Sequence, residues 1–314
     1  MGSQAPHELP VIEFTDSNSK PGTTEWDKAC NEVVSALELY GCFVAVYDKI
    51  SQETHNGVFE ALEELFDRPL QTKVQNKSSK PLYGYVGQIP LIPLYESMGI
   101  DSANTLEGIR HFSNVMWPGG NNEFSEKILA YTKIAVELER IAIQMVCEKY
   151  GVKEYYGSIV SSANYLCRVM KYREPKMDEN KMGFVAHTDK SFMSTIHQNQ
   201  VDGLEIQAKD GEWFGVHNLS TSSVVVMAGD AVMAWSNDRI KSPRHKVTMN
   251  GNKSRFSIAQ FSFLENGIVK VPEELVDEKH PLRYKPFDHL KFLDFYSKEE
   301  NRRLESAIRT YCGV

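Results

Sequence analysis

The stretch "GFVAHTDKSFMSTIHQNQVDGLEI", Gly183 to Ile206, sets three short apolar runs between polar turns. Runs of that length, bounded by Asp, Lys, Asn, Gln and Gly, read as strands rather than helices. The turn after the first run carries His187 and Asp189 in a His-x-Asp spacing, and a second histidine, His197, closes the next run. His-x-Asp alone is a weak motif, compatible with half of a metal site and equally with a polar turn between barrel strands. Any further ligands must come from elsewhere in the chain.

Outward from this stretch the same grammar repeats. "NYLCRVMKY" (164–172), "GLEIQAKDGEWFGV" (203–216), "SSVVVMAGDAVMAWSN" (222–237), "RHKVTM" (244–249) and "SRFSIAQFSF" (254–263) all read as short strands separated by Gly, Asp and Asn. That density of strands and turns predicts an antiparallel sandwich, jelly roll or barrel. "MAGD" reads as a turn between strands, because no G-x-x-x-x-G-K-[ST] accompanies it.

Ahead of this region, "PVIEF" (10–14) alternates like a strand. Thr23 and Thr24 open a helix with Trp26, Ala29, Val33, Ala36 and Leu37 on one face. "GCFVAVYD" (41–48) reads as a buried strand, and a second helix runs from about Gln52 to Phe66. From Gln75 to Gly120 the pattern dissolves into Pro, Gly and Ser, with Tyr83, Tyr85, Ile89, Leu91, Ile92 and Tyr95 in a segment of lid type. The longest helix is expected from about Phe124 to Tyr150, along the stripe Ile128, Tyr131, Ile134, Ala135, Leu138, Ile141, Ala142 and Met145. A final helix is expected from Phe287 to about Tyr311. No repeat or linker divides the chain, so 1–314 reads as one catalytic unit: an N-terminal region with pocket loops (1–120), scaffold helices (121–160), a β core (161–268) and a helical C-terminal region (269–314).

The 314 residues carry a net charge of −7 with both signs scattered. Without a basic stripe, nucleic acid and anionic membrane surfaces are poor partners, and a small molecule is the better fit. The five cysteines, at 30, 42, 147, 167 and 312, are odd in number and lack C-x-x-C spacing, so they read as reduced thiols of a cytoplasmic protein. No leader or membrane-spanning run is apparent. Gly2 followed by Pro6 does not make an acylation signal, and Cys312 stands one place too near the end for prenylation. A monomer is expected.

The next histidine beyond His217 is His245, in "KSPRHKVTM". Two neutral imidazoles and one carboxylate suit non-haem Fe(II), because they hold one face of an octahedral ion and leave three cis positions open. A catalytic zinc would take a similar set with fewer open positions. Ten residues further on, Arg255 and Ser257 share a strand face with Ala259, Phe261 and Phe263. A guanidinium in an apolar interior needs a partner. Either a dicarboxylate ligand held bidentately, with Ser257 donating, or an internal Asp or Glu would serve.

"HTD" (187–189), "VDGLEI" (201–206), "DGEW" (210–213), "AGDAVMAWSN" (228–237), "KSPRHKV" (241–247) and "RFSIAQF" (255–261) come in the order and spacing of plant 2-oxoglutarate- and Fe(II)-dependent dioxygenases. The resemblance covers nearly the whole chain. "MKYREP", "HTDK" and "HQNQVDGLEI" look most like the AOP (alkenyl/hydroxyalkyl-producing) branch, known for glucosinolate side-chain modification. The resemblance implies a mostly β fold with helices, a distorted double-stranded β-helix or jelly roll of the isopenicillin N synthase-like type, with helices packed outside the sheet. It implies His187, Asp189 and His245 as iron ligands, Arg255 and Ser257 as the clamp on the distal carboxylate of 2-oxoglutarate, and Tyr172 as a further hydrogen-bond partner of that co-substrate. Met170 departs from the family, which often places Asn two residues before this tyrosine. The implied reaction uses Fe(II), 2-oxoglutarate and O₂, with ascorbate as reductant, to oxidise a C–H bond of a small plant metabolite or hormone and to release succinate and CO₂. A related iron oxidase that does not use 2-oxoglutarate, and a non-catalytic binder on the same fold, are the alternatives.

Strand parity places Phe261 and Phe263 as an apolar wall of the substrate pocket. The opposite wall is expected from "LYGYVG" and "HFSNVMWP", through Tyr83, Tyr85, Phe112, Asn114 and Met116. His111 is expected on a strand at the pocket mouth, His197 as a structural side chain and His217 at the surface.

Overall fold

The structure, a computed structural model, describes residues 7–314, so the acylation reading of Gly2 to Pro6 lies outside the described residues. β1 (Val11–Phe14) and β2 (Cys42–Tyr47) pair in parallel across α1 (Thr24–Leu39). The helix starts where its cap dictates: Thr23 Oγ1 accepts from the Trp26 N–H at 3.1 Å, a contact worth about 1 kcal/mol. α2 (Gln52–Phe66) follows, capped by Ser51, and then the single turn α3 (Leu70–Lys73).

The weakly patterned segment contains two regular elements, β3 (Tyr95–Ile100) and α4 (Leu106–Met116). β3 escapes a sequence reading because Gly99 breaks its apolar run; a Cβ there would stand 2.0 Å from the Tyr83 carbonyl oxygen. α4 corrects the strand expected around His111. Thr105 caps it at the Gly108 N–H, and Ile109, Phe112, Ser113 and Met116 recur at helical spacing on its buried side. α5 (Asn122–Lys149) is the scaffold against which α1, α2 and α4 pack, and α6 (Tyr155–Ser162) leads into the β core.

That core comprises β4 (Ala163–Tyr172), β5 (Met182–His187), β6 (Met193–Gln198), β7 (Leu204–Gln207), β8 (Trp213–Gly215), β9 (Ser223–Ala228), β10 (His245–Thr248) and β11 (Arg255–Leu264). The large sheet runs β1-β2-β9-β6-β11-β4-β3 and the small one β5-β10-β7-β8. Val44, Met227 and Ala259 of the first meet Leu204, Ile206 and Val247 of the second in one buried cluster. Phe43, Val169 and Ile258 point the other way, into the cluster that holds Leu62, Tyr131 and Leu138 of the helices. This is the distorted double-stranded β-helix, with helices covering one sheet.

Two expectations change. "SSVVVMAGDAVMAWSN" is not strand, turn and strand: after β9 comes the short helix α7 (Asp230–Trp235). Its run is buried almost all round, so no periodicity marks it as helix. The single C-terminal helix is three pieces, α8 (His289–Ser297), α9 (Glu299–Arg302) and α10 (Ala307–Cys312), with Lys298 and Ser306 extended between them. All five cysteines are buried and unpaired. Among the described residues no helix is long and apolar enough to cross a membrane.

Candidate active site

β5 and β10 are antiparallel neighbours, and their register sets His187 directly opposite His245. The rings stand 4.2 Å apart, centroid to centroid. Asp189 follows two residues after β5, with Oδ1 3.7 Å from Nε2 of each histidine. One ligand atom from each of the three lies within 4.8 Å of the others, a spacing that suits a single metal ion. Nδ1 of His187 faces the Val185 carbonyl at 2.9 Å, and Nδ1 of His245 faces that of Pro243 at 3.2 Å. Each Nδ1–H therefore donates to backbone, and both Nε2 lone pairs are left for a metal. Burial, reinforced by His245, pushes His187 down to about 3, which keeps it in the neutral form a metal requires. Ser194 Oγ donates to Asp189 Oδ2 at 2.7 Å and leaves Oδ1 free.

The loop carrying Asp189 is pinned from two sides. The Asp230 N–H donates to the Asp189 carbonyl at 2.8 Å, and the Asp230 carboxylate takes Lys190 at 2.7 Å and Ser242 at 2.7 Å. This close approach requires Gly229, whose Cβ would fall 1.9 Å from the Ser191 carbonyl oxygen. From α8, His289 accepts the Leu264 N–H on Nδ1 and donates from Nε2 to the Lys190 carbonyl. Burial pushes His289 down to about 4. The unfolded chain takes up a proton near pH 6.5 that the folded site refuses until about pH 4. The stability involved is on the order of 3 kcal/mol, held above pH 6.5 and lost as the pH falls toward 4. Thermal midpoints should decline over that window. His289→Gln, which keeps a donor and an acceptor but does not titrate, should make the decline shallower; an unchanged slope would contradict this role.

Between the sheets lies a cavity of about 800 Å³ that the triad borders. Arg255, Ser257, Ala259, Phe261 and Phe263 all line it, as strand parity requires, together with Leu166, Arg168, Met170 and Tyr172 of β4. Arg255 is 1% exposed. Its guanidinium donates to Gln198 Oε1 at 2.9 and 3.3 Å and to Ser257 Oγ at 3.3 Å, and stands 5.1 Å from the Tyr172 ring centroid. Among the described residues no carboxylate lies within ion-pair distance of it, so the internal Asp or Glu alternative lacks its partner. Gln198 is the member of this group that sequence reasoning missed. It ends β6 beside Ser257, a register visible only once the strands are paired.

The other expected wall is not there. Phe112 and Met116 belong to the helical core, where Phe112 stacks on Phe124 at 5.8 Å, while His111 and Asn114 are exposed. Tyr83 lies behind Phe263, its ring 5.6 Å away and its hydroxyl on Glu265. Tyr85 donates to Glu96 at 2.8 Å, so neither tyrosine borders the cavity. The wall comes instead from Leu82, Val86, Ile89, Leu91 and Ile92 of the same loop, and from Tyr296 and residues 302–305 at the break after α9. His197 is turned to the helical side, bonded to His55 at 3.0 Å and to the Ser223 carbonyl at 2.9 Å, and His217 is an exposed partner of Asp202.

The sequence model of the 2OG-Fe(II) oxygenase superfamily matches residues 163–263, and that of the "non-haem dioxygenase in morphine synthesis N-terminal" region matches residues 9–90. The Arabidopsis thaliana "Probable 2-oxoglutarate-dependent dioxygenase AOP1.2" is 44% identical, over 98% of this chain and 96% of its own length. The "2-oxoglutarate-dependent dioxygenase AOP3" of the same plant is 31% identical, over 100% of this chain and 99% of its own. The crystal structure of a rice dioxygenase for auxin oxidation superposes with a TM-score of 0.82 at 25% identity, covering 98% of this chain and 100% of that one.

Proposed function

The chain belongs to the plant 2-oxoglutarate- and Fe(II)-dependent dioxygenases, most like the AOP branch, and from that premise we propose that His187, Asp189 and His245 hold the iron while Arg255, Ser257 and Tyr172 hold 2-oxoglutarate. The residues fit both groups. Two imidazoles with free Nε2 and one carboxylate oxygen make a facial set for iron. A buried guanidinium lacking an acidic partner fits one end of a dicarboxylate. That unpaired Arg255, on the same cavity as the triad, carries the reading.

When bound, the iron supplies the redox chemistry that couples oxidative decarboxylation of 2-oxoglutarate to oxidation of a substrate C–H bond. The chain's own part is positioning. Gln198 Oε1 takes two Arg255 N–H groups and aims the remaining donors, with Ser257, into the cavity. Ser194 holds one Asp189 oxygen so that the other faces the metal point. Phe261, Phe263, Leu166 and the 82–92 loop keep water away from the reacting centre. The cavity draws on the N-terminal, β and C-terminal regions of one chain, which supports a single catalytic unit and a monomer. Five unpaired buried thiols support the cytoplasm, where ascorbate would serve as reductant.

The test is the fate of 2-oxoglutarate. Protein reconstituted with Fe(II) under O₂ should convert 2-oxoglutarate to succinate, even slowly without a primary substrate. Substrate oxidation with no succinate would instead favour the iron oxidase that dispenses with this co-substrate.

A further inference from the structure

Arg168 is a second buried guanidinium in the cavity wall, and neither iron nor 2-oxoglutarate gives it a role. It is 9% exposed and lies opposite Ala259 in the β4–β11 register. It stands four positions before Tyr172, which lies opposite Arg255 in the register, so the two arginine positions are about 13 Å apart along the strands. Nη1 donates to Ser97 Oγ at 2.7 Å, and Nη2 to the carbonyls of Leu82 and of Gly84, the latter at 3.3 Å. These acceptors orient the group, but all are neutral and leave its charge uncompensated.

The acidic side chains nearby are committed elsewhere. Glu96 pairs with Lys73 at 2.8 Å, and Asp101 and Glu265 pair with Lys80 at 3.0 and 2.9 Å. Among the described residues, the charged side chains lining the cavity are Arg168, Lys190, Arg244, Arg255, Arg302 and Arg303 against Asp189 and Glu305, in a chain whose net charge is −7. Arg244, Arg302 and Arg303 are solvent-exposed, and Arg303 pairs with Glu299. Lys190 is neutralised by Asp230. A divalent iron, Asp189, Arg255 and a dicarboxylate neutralise one another, and Arg168 is the buried cation left over. Leu82, whose carbonyl accepts from Arg168, and the paired Leu166 and Phe261, two positions along the same strands, also line the cavity. A cation set among apolar side chains favours a ligand that is apolar along its body and anionic at one end.

We propose that Arg168 binds a carboxylate of the primary substrate, which makes that substrate an apolar organic acid. The inference rests on the assignment of Arg255 to 2-oxoglutarate, because only then is the first guanidinium already taken. The test is equilibrium dialysis of the anaerobic enzyme, loaded with Fe(II) and saturated with 2-oxoglutarate, against aromatic and medium-chain aliphatic monocarboxylic acids, each matched with its methyl ester. One or more acids should bind about tenfold or more tighter than the matching ester. Arg168→Gln keeps one N–H₂ donor group on a shorter side chain and carries no charge. It should erase the preference for acid over ester while ester binding and 2-oxoglutarate retention stay as in the wild type. The inference is overturned if no acid outbinds its ester, if the preference survives in Arg168→Gln, or if acids and esters weaken together, which would make Arg168 only a support for the 82–84 loop. Failure of the wild type to retain 2-oxoglutarate would show that the reading of Arg255 had fallen first.

Discussion

His187→Ala and His245→Ala should each lose iron and, with it, turnover, if these histidines hold the metal as proposed. The two rings come from opposed positions on β5 and β10, and each presents Nε2 because its Nδ1–H is bonded to backbone. Loss of a partner that merely orients a ligand typically costs about 10–100-fold in metal affinity or activity. Loss of the ligand itself should cost more, on the order of 10³-fold or beyond in turnover. The fold should persist, because the sheets are held by apolar clusters that need no metal. Iron per chain after gel filtration, read beside the circular dichroism spectrum, checks both halves. Either variant retaining one iron and full activity would remove that histidine from the site. A spectrum that collapses would mean that the metal supplies folding energy, as in structural zinc sites.

What the sequence revealed follows from how local each signal is. The face of β11 was legible because a strand alternates with period two, and Arg255, Ser257, Ala259, Phe261 and Phe263 do line the cavity together. The caps at Thr23 and the stripe of α5 were legible for the same reason: three- and four-residue spacings are written in adjacent sequence. The grouping of His187 with His245 came from residue types and from the family resemblance, not from local spacing, since the register that brings them together joins strands more than fifty residues apart. The substrate wall was misplaced because "HFSNVMWP" contains an apolar set that suits a pocket or a helix face equally well, and only packing on α5 decides for the helix. The mouth at 302–305 gave no signal, since it is the end of α9 and the turn that follows, in a segment whose apolar residues still permit one continuous helix. Gln198 and Arg168 were passed over because a polar residue within a strand shows its direction only after the neighbouring strands are in register.

Arg255→Ala should weaken 2-oxoglutarate far more than the primary substrate. The guanidinium is buried, and burial opposes its charged form. Its cost is met in part by Gln198 and Ser257, both neutral, and would be met more fully by a bound carboxylate, as proposed for 2-oxoglutarate. Removing one side of such a pair leaves the other carboxylate poorly solvated in the cavity, at about 2–5 kcal/mol, which corresponds to a KM for 2-oxoglutarate higher by roughly 30- to 4000-fold. Arg255→Lys should fall between, since it keeps the charge but loses the planar fork that meets two oxygens at once. The variant also relieves the burial of an unpaired charge in the empty site, so the thermal midpoint without 2-oxoglutarate should change little or rise, while the added stability conferred by 2-oxoglutarate on the wild type should shrink. Steady-state kinetics with each substrate varied in turn, together with melts with and without 2-oxoglutarate, separate this from a structural role. If KM rises equally for both substrates, or the midpoint without 2-oxoglutarate drops sharply, Arg255 supports the fold rather than the co-substrate.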